Sequence, residues 1–155
     1  MADTLDEFAT AAREYCEWCE APAGDTAKIF RLLSRLVASI VDVHADEGGR
    51  RDARAIPHEE WQQVLDGLQL MPFSYYKVPF DPHNLEAATD ELDDLLDDLA
   101  DIWRDLKPAL ELFDAGHRKD AAWNWRFRFE AHWGRHATSA LYALHCWLAD
   151  HRKAP

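Results

Sequence analysis

No uninterrupted apolar run opens this chain: Asp3, Asp6, Glu7, Arg13 and Glu14 break up the first twenty residues. That pattern excludes a secretory leader or a bilayer-spanning segment there, and the expected location is cytoplasmic. Basic charge is scarce as well. Seventeen Lys and Arg face 29 Asp and Glu, for a net charge of −12, which argues against a nucleic-acid surface because such surfaces are built from cations that neutralise phosphates. Cysteine is limited to three, an odd number that a reducing compartment would keep as thiols. Cys16-Glu17-Trp18-Cys19 has redox spacing but closes a helical stretch with no preceding strand, so both read as ordinary helix cysteines. Enzyme templates are missing too: there is no glycine-rich phosphate loop, nucleophile elbow, Ser-His-Asp order or Glu-x-x-His repeat.

What is present is a chain of 155 residues with seven Trp, a length that buries about two thirds of its unfolded surface in one domain. Helical periodicity dominates. Leu5, Phe8, Ala12, Tyr15 and Cys16 mark a first helix ended by Pro22 and Gly24. Asp25 caps a second, whose apolar face runs from Ile29 to His44 before Gly48-Gly49. A basic connector from Gly48 to Arg54 leads to a third helix that opens at Pro57 and ends near Met71-Pro72. Residues 72–82 are too rich in proline for a helix and too aromatic for a solvated linker, so they read as an extended crossover packed on the core, with a lid or a dimer arm as the other options.

Asp81-Pro82 reads as the start of a fourth helix, with Leu85, Ala88, Leu92, Leu95, Leu96, Leu99, Ile102, Trp103 and Leu106 on one face. Lys107-Pro108 should end or kink it, and Gly116 should cap a short further turn. The last helix spans about Arg118 to Ala149. The fold class is therefore all-α: a single-domain bundle of five or six helices over residues 1–155, with flexible ends at about 1–4 and 150–155.

Between Glu86 and Asp105 nine acids face one Arg, whereas residues 116–155 carry seven Lys or Arg against three acids. Most of the acids read as a solvated face. Glu91, Asp98 and Asp105 flank Ile102 on the helical wheel and can reach toward the last helix, unlike Asp93 and Asp97. On that last helix Arg126 and Glu130 are four apart beside the apolar centre, which includes Trp133. They read as an ion pair fixing helix register, and functionally as a ligand-binding set of Arg126, Glu130 and Trp133.

His132 and His136 share a face at the spacing that lets two imidazoles hold one metal. The general-base Glu of zinc peptidases would follow the first His, and Trp133 stands there instead. The acidic helix could supply carboxylates from Asp98, Asp101 or Asp105. The metal set is written as His132, His136 and Asp98, and the catalytic candidates as His132, His136, Asp101 and Asp105. Structural, hydrogen-bonded histidines are the simpler reading, and His145 lies on another face. Gly134 inside a helix implies close helix approach or ligand access.

Asp101-Ile102-Trp103-Arg104-Asp105-Leu106, Ala122-Trp123-Asn124-Trp125-Arg126-Phe127 and the His132-Trp133-Gly134-x-His136 core resemble a family of small bacterial all-helical proteins known only as a domain of unknown function. Tyr75-Tyr76-Lys77-Val78-Pro79-Phe80-Asp81-Pro82 is similar to that family's middle loop. The resemblance implies a fold and no activity. Function is read two ways. The first is an acidic binding or regulatory module for a basic protein partner or a small charged ligand, with no cofactor, nucleic acid or membrane. The second is a metal-dependent or acid/base enzyme that uses His132 and His136 with carboxylates of the acidic helix and takes a divalent ion. The lack of an enzyme motif leans toward the first, and oligomeric state is not legible.

Overall fold

The computed structural model describes residues 3–46, 51–86 and 90–152. Six α-helices lie among the described residues: α1 (Thr4–Glu20), α2 (Thr26–Ile40), α3 (His58–Gly67), α4 (Leu95–Asp114), α5 (Arg118–Arg128) and α6 (Gly134–Asp150), with a 3-10 turn, Leu68–Leu70, after α3. One π turn, Phe129–Trp133, joins α5 to α6 in a continuous rod. The only strands among the described residues, β1 (Tyr75–Val78) and β2 (Glu91–Asp94), form an antiparallel ribbon. The all-α expectation therefore holds, with a small ribbon added. None of the described helices is long and apolar enough to cross a membrane.

Side-chain caps fix the helix starts. Asp3 accepts from the Leu5 amide, Asp25 from Lys28 and Asp94 from Leu96, each satisfying an amide the helix leaves open. The Asp94 cap corrects the sequence reading: α4 begins at Leu95, not after Asp81-Pro82. Val78 pairs with Glu91 and Tyr75 with Asp94, so the stretch read as the first turns of a helix serves as the second strand. Leu85 is accordingly 92% exposed and Leu92 also faces solvent, while Ala88 and Gly48-Gly49 lie outside the described residues. Within the crossover Tyr75–Val78 is strand with Val78 buried, whereas Tyr75 and Phe80 face solvent, so the segment read as packed on the core is packed only in part.

Two further boundaries differ. Helix α2 stops at Ile40 rather than His44, and the Ile40 carbonyl accepts from the Val43 amide at 3.1 Å and from Arg126 Nη1 at 3.0 Å. Helix α4 passes through Pro108 and continues to Asp114. Gly116, at φ +90°, takes the left-handed conformation that ends it. Asp3 and Thr4 already belong to the start of α1, and residues 1–2 and 153–155 are outside the described ones.

One apolar cluster spans the helices, with Phe8, Tyr15, Ile29, Leu33, Trp125 and Trp133 fully enclosed. Each such side chain contributes roughly 1.5–3 kcal/mol by leaving water. The Tyr15 hydroxyl donates to the Leu99 carbonyl at 2.7 Å and Trp125 Nε1 to the Leu106 carbonyl at 3.1 Å, which satisfies polar tips inside the core and locks α4 against α1 and α5. Cys16 and Cys19 are buried free thiols whose burial pushes both pKa values up, away from thiolate chemistry.

Candidate metal centre

Asp98, Asp101 and Asp105 lie three and four residues apart, so all three leave one face of α4. That face is covered, and all three are buried. A carboxylate out of water is costly unless it is paired, and each of these is paired twice. Asp98 accepts from the Tyr76 hydroxyl on β1 and from His136 Nδ1 at 2.6 Å. Asp101 accepts from Trp61 Nε1 on α3 at 2.9 Å and from Arg104 Nη2 at 2.6 Å. Asp105 accepts from His132 Nδ1 at 2.6 Å and from Arg128 Nη1 at 3.3 Å.

A carboxylate oxygen can only accept, so each Nδ1 carries a proton and each imidazole turns its Nε2 away from its Asp. Both Nε2 atoms face one point. His132 Nε2 and His136 Nε2 are 3.2 Å apart, and Asp101 Oδ2 lies 3.7 Å from the first and 3.6 Å from the second. Repulsion among these three atoms is relieved by a proton on one Nε2, shared with the other, or by a cation held among them. Atoms bound tetrahedrally at about 2.0–2.2 Å from zinc stand about 3.3–3.6 Å apart, close to the separations found. Two imidazoles and one carboxylate, with each Nδ1 bonded to a further carboxylate, form a group that could hold a metal ion.

The cluster reaches solvent on one side, because the His132 side chain is 39% exposed. Burial pushes the Asp98 carboxyl up even though the His136 and Tyr76 hydrogen bonds pull it down. At His136 burial disfavours charge, but the hydrogen bond and charge of Asp98, together with Asp101 and Asp97, outweigh it and raise the pKa. Burial, and then the Asp98 hydrogen bond and charge, push the Tyr76 phenol well above its usual value, so it stays a proton donor.

The π turn supplies the spacing. Gly134 N–H donates to the Phe129 carbonyl five residues back, and the extra residue in that turn widens the helix where His132 departs. A side chain at Gly134 would place its Cβ 2.4 Å from the Phe129 oxygen, so glycine is required there by close backbone approach within the helix.

The sequence-derived residues sort clearly. His132, His136, Asp98, Asp101 and Asp105 come together, but two acids exchange roles. Asp98, written as the ligand, faces Nδ1 of His136, while Asp101, written as an orienting acid, faces the shared point. Glu91 lies on the ribbon, and His145 is exposed on α6. Arg126 Nε donates to Glu130 at 3.0 Å while its Nη1 closes the end of α2, which is the register-fixing pair; Glu130 stays exposed. Trp133 is enclosed in the core and donates to the Trp125 carbonyl at 3.1 Å. Trp61, Tyr76, Arg104 and Arg128 are the members that spacing did not reveal. No periodicity links a loop tyrosine to a distant aspartate.

A family model described as a domain of unknown function (DUF5063) matches residues 1–150. Among solved structures the chain is similar to protein BF1032 from Bacteroides fragilis, at 21% identity and a TM-score of 0.74, over 99% of this chain and 94% of that one. That likeness concerns the fold alone. No curated protein matches.

Proposed function

The chain belongs to the DUF5063 family, whose function is unknown, and from that premise we propose that it is a metal-dependent enzyme with one divalent ion held by Asp101 Oδ2, His132 Nε2 and His136 Nε2. The observation that carries this reading is the pair of imidazoles 3.2 Å apart at Nε2, each fixed from behind by a buried aspartate. Three protein ligands leave the rest of the coordination sphere for water and substrate, which separates a catalytic site from a structural one. A bound ion supplies Lewis acidity toward a substrate oxygen or a water. The chain does the holding: Asp98 and Asp105 select the tautomer and raise imidazole basicity, while Trp61 and Arg104 aim the Asp101 carboxylate. Zn²⁺, Mn²⁺ and Fe²⁺ all accept such a donor set.

Docking of a basic partner on the acidic helix has less support. Asp98 and Asp105, which sequence places at the edge of the acidic stripe, and Asp101 on the same helix face are buried inside the fold. The test is elemental analysis and calorimetric titration of tag-free protein with each ion. One site per chain is expected, weakened at least about 100-fold in Asp101→Asn and in His136→Ala, more than the roughly 10–100-fold typical of outer partners. Absence of binding, with melting unchanged by all three ions, would overturn the proposal.

A further inference from the structure

We infer that the substrate of this centre carries an oxyanionic group, a phosphate or a carboxylate, and that Arg128, with Arg104 beside it, receives that group in the hollow next to Asp105. The inference rests on the metal reading above and deepens it. The hollow has a volume of about 180 Å³ and is lined by Arg54, Ile56, Arg104, Asp105, Pro108 and Arg128. Whole-ligand pockets usually measure about 300–1,000 Å³, so this one fits the charged end of a substrate rather than all of it.

Three arginines around one small hollow are notable in a chain of net charge −12. Their partners differ. Arg54 uses Nε, Nη1 and Nη2 on Glu60 and Glu111 and forms a closed wall. Arg104 gives one hydrogen bond to Asp101, with its guanidinium 5.5 Å from the Trp61 ring centroid, and its side chain is 38% exposed. Arg128 makes a single 3.3 Å contact with Asp105 among the described residues and is 46% exposed. A guanidinium has five donors in a fixed fork, so Arg128 keeps most of its capacity for a planar or tetrahedral oxyanion.

Both open arginines are also bonded to the centre, Arg104 through the ligand Asp101 and Arg128 through the His132 partner Asp105. Charge balance then sets an order. The three buried aspartates against these two guanidiniums leave one negative charge within the bonded cluster, which a divalent ion turns into one positive. An oxyanion is therefore held more strongly by the loaded site than by the bare one.

The test uses the full chain with Mn²⁺, inorganic phosphate and acetate, reading anion affinity from ³¹P and ¹³C relaxation enhancement by the bound Mn²⁺. Calorimetry gives the Mn²⁺ affinity separately. In Arg128→Gln, anion affinity is expected to fall at least about 10-fold while Mn²⁺ affinity changes by less than about 3-fold, since a charge-assisted hydrogen bond is lost without touching a ligand. Arg128→Lys, which keeps charge and loses the fork, should fall between, and guards against a folding defect in the first variant. Loss confined to phosphate assigns the phosphate class, and loss confined to acetate assigns carboxylates. If Mn²⁺ binds and neither anion depends on Arg128, this inference fails and the metal reading stands. Absence of Mn²⁺ binding overturns both.

Discussion

A carboxylate behind each imidazole decides what His132 and His136 can do. Asp105 fixes the His132 tautomer, and its replacement by Asn removes the charge while leaving an amide oxygen to accept from Nδ1. Asp105→Asn is expected to lower metal affinity about 10–100-fold without abolishing it, as outer partners do; titration calorimetry reads the change. A second residue-scale outcome concerns Arg13 and Asp114, which hold α1 to the end of α4. The Arg13 hydrogen bond and the charges of Arg13 and Lys107 hold the Asp114 carboxyl below its usual value against a smaller effect of burial. A carboxyl with a lowered folded pKa adds stability above its unfolded pKa of about 4, and that stability is lost as pH falls through the folded value. Because both groups are more than a third exposed, solvent screening limits the gain to about 0.2–1 kcal/mol. Denaturant melts should show Asp114→Asn weaker than wild type by that amount at pH 7 and the difference shrinking at acid pH.

Among the elements, the π turn is the one whose contribution inverts an ordinary rule. Glycine to alanine inside a helix usually gains up to about 1 kcal/mol. At Gly134 the new Cβ would meet the Phe129 oxygen at 2.4 Å, so Gly134→Ala is expected to destabilise by about 1–3 kcal/mol, as overpacking does. Equilibrium melts check the sign, and a gain would mean that the turn relaxes to ordinary helix. The ribbon matters for another reason. It carries Tyr76 to Asp98, and Tyr76→Phe should leave the fold intact and lower metal affinity by up to about 10-fold, the low end for outer partners.

The same two elements mark where sequence was legible. Four-residue spacing showed that His132 and His136 share a face, and the wheel showed that Asp98 and Asp105 could cross to them. Spacing could not say which acid faces Nε2, because that depends on how α4 is rotated against a helix widened by a π turn. The ribbon stayed hidden because β2 reads as acidic helix: Leu92 and Leu95 fit a helical stripe until Asp94 is seen to cap the helix and Leu92 to face solvent.

For the molecule as a whole, the periodic apolar stripes of α1, α2 and α4 were enough to give an all-α fold, since burying those faces admits few arrangements. Net charge was a poorer guide to where individual acids lie. Three acids of the charged helix, Asp98, Asp101 and Asp105, are turned inward around two histidines. An ion bound only by the folded chain should stabilise it by about 2.7 kcal/mol at a free concentration one hundred times its dissociation constant. In a chain of this size that corresponds to roughly 5–10 °C in Tm. The most direct measurement of the central claim is an anomalous difference map from crystals of tag-free protein grown with Zn²⁺ or Mn²⁺. The prediction is one peak at about 2.0–2.2 Å from Asp101 Oδ2, His132 Nε2 and His136 Nε2 together. A map with no peak among those three atoms would contradict it.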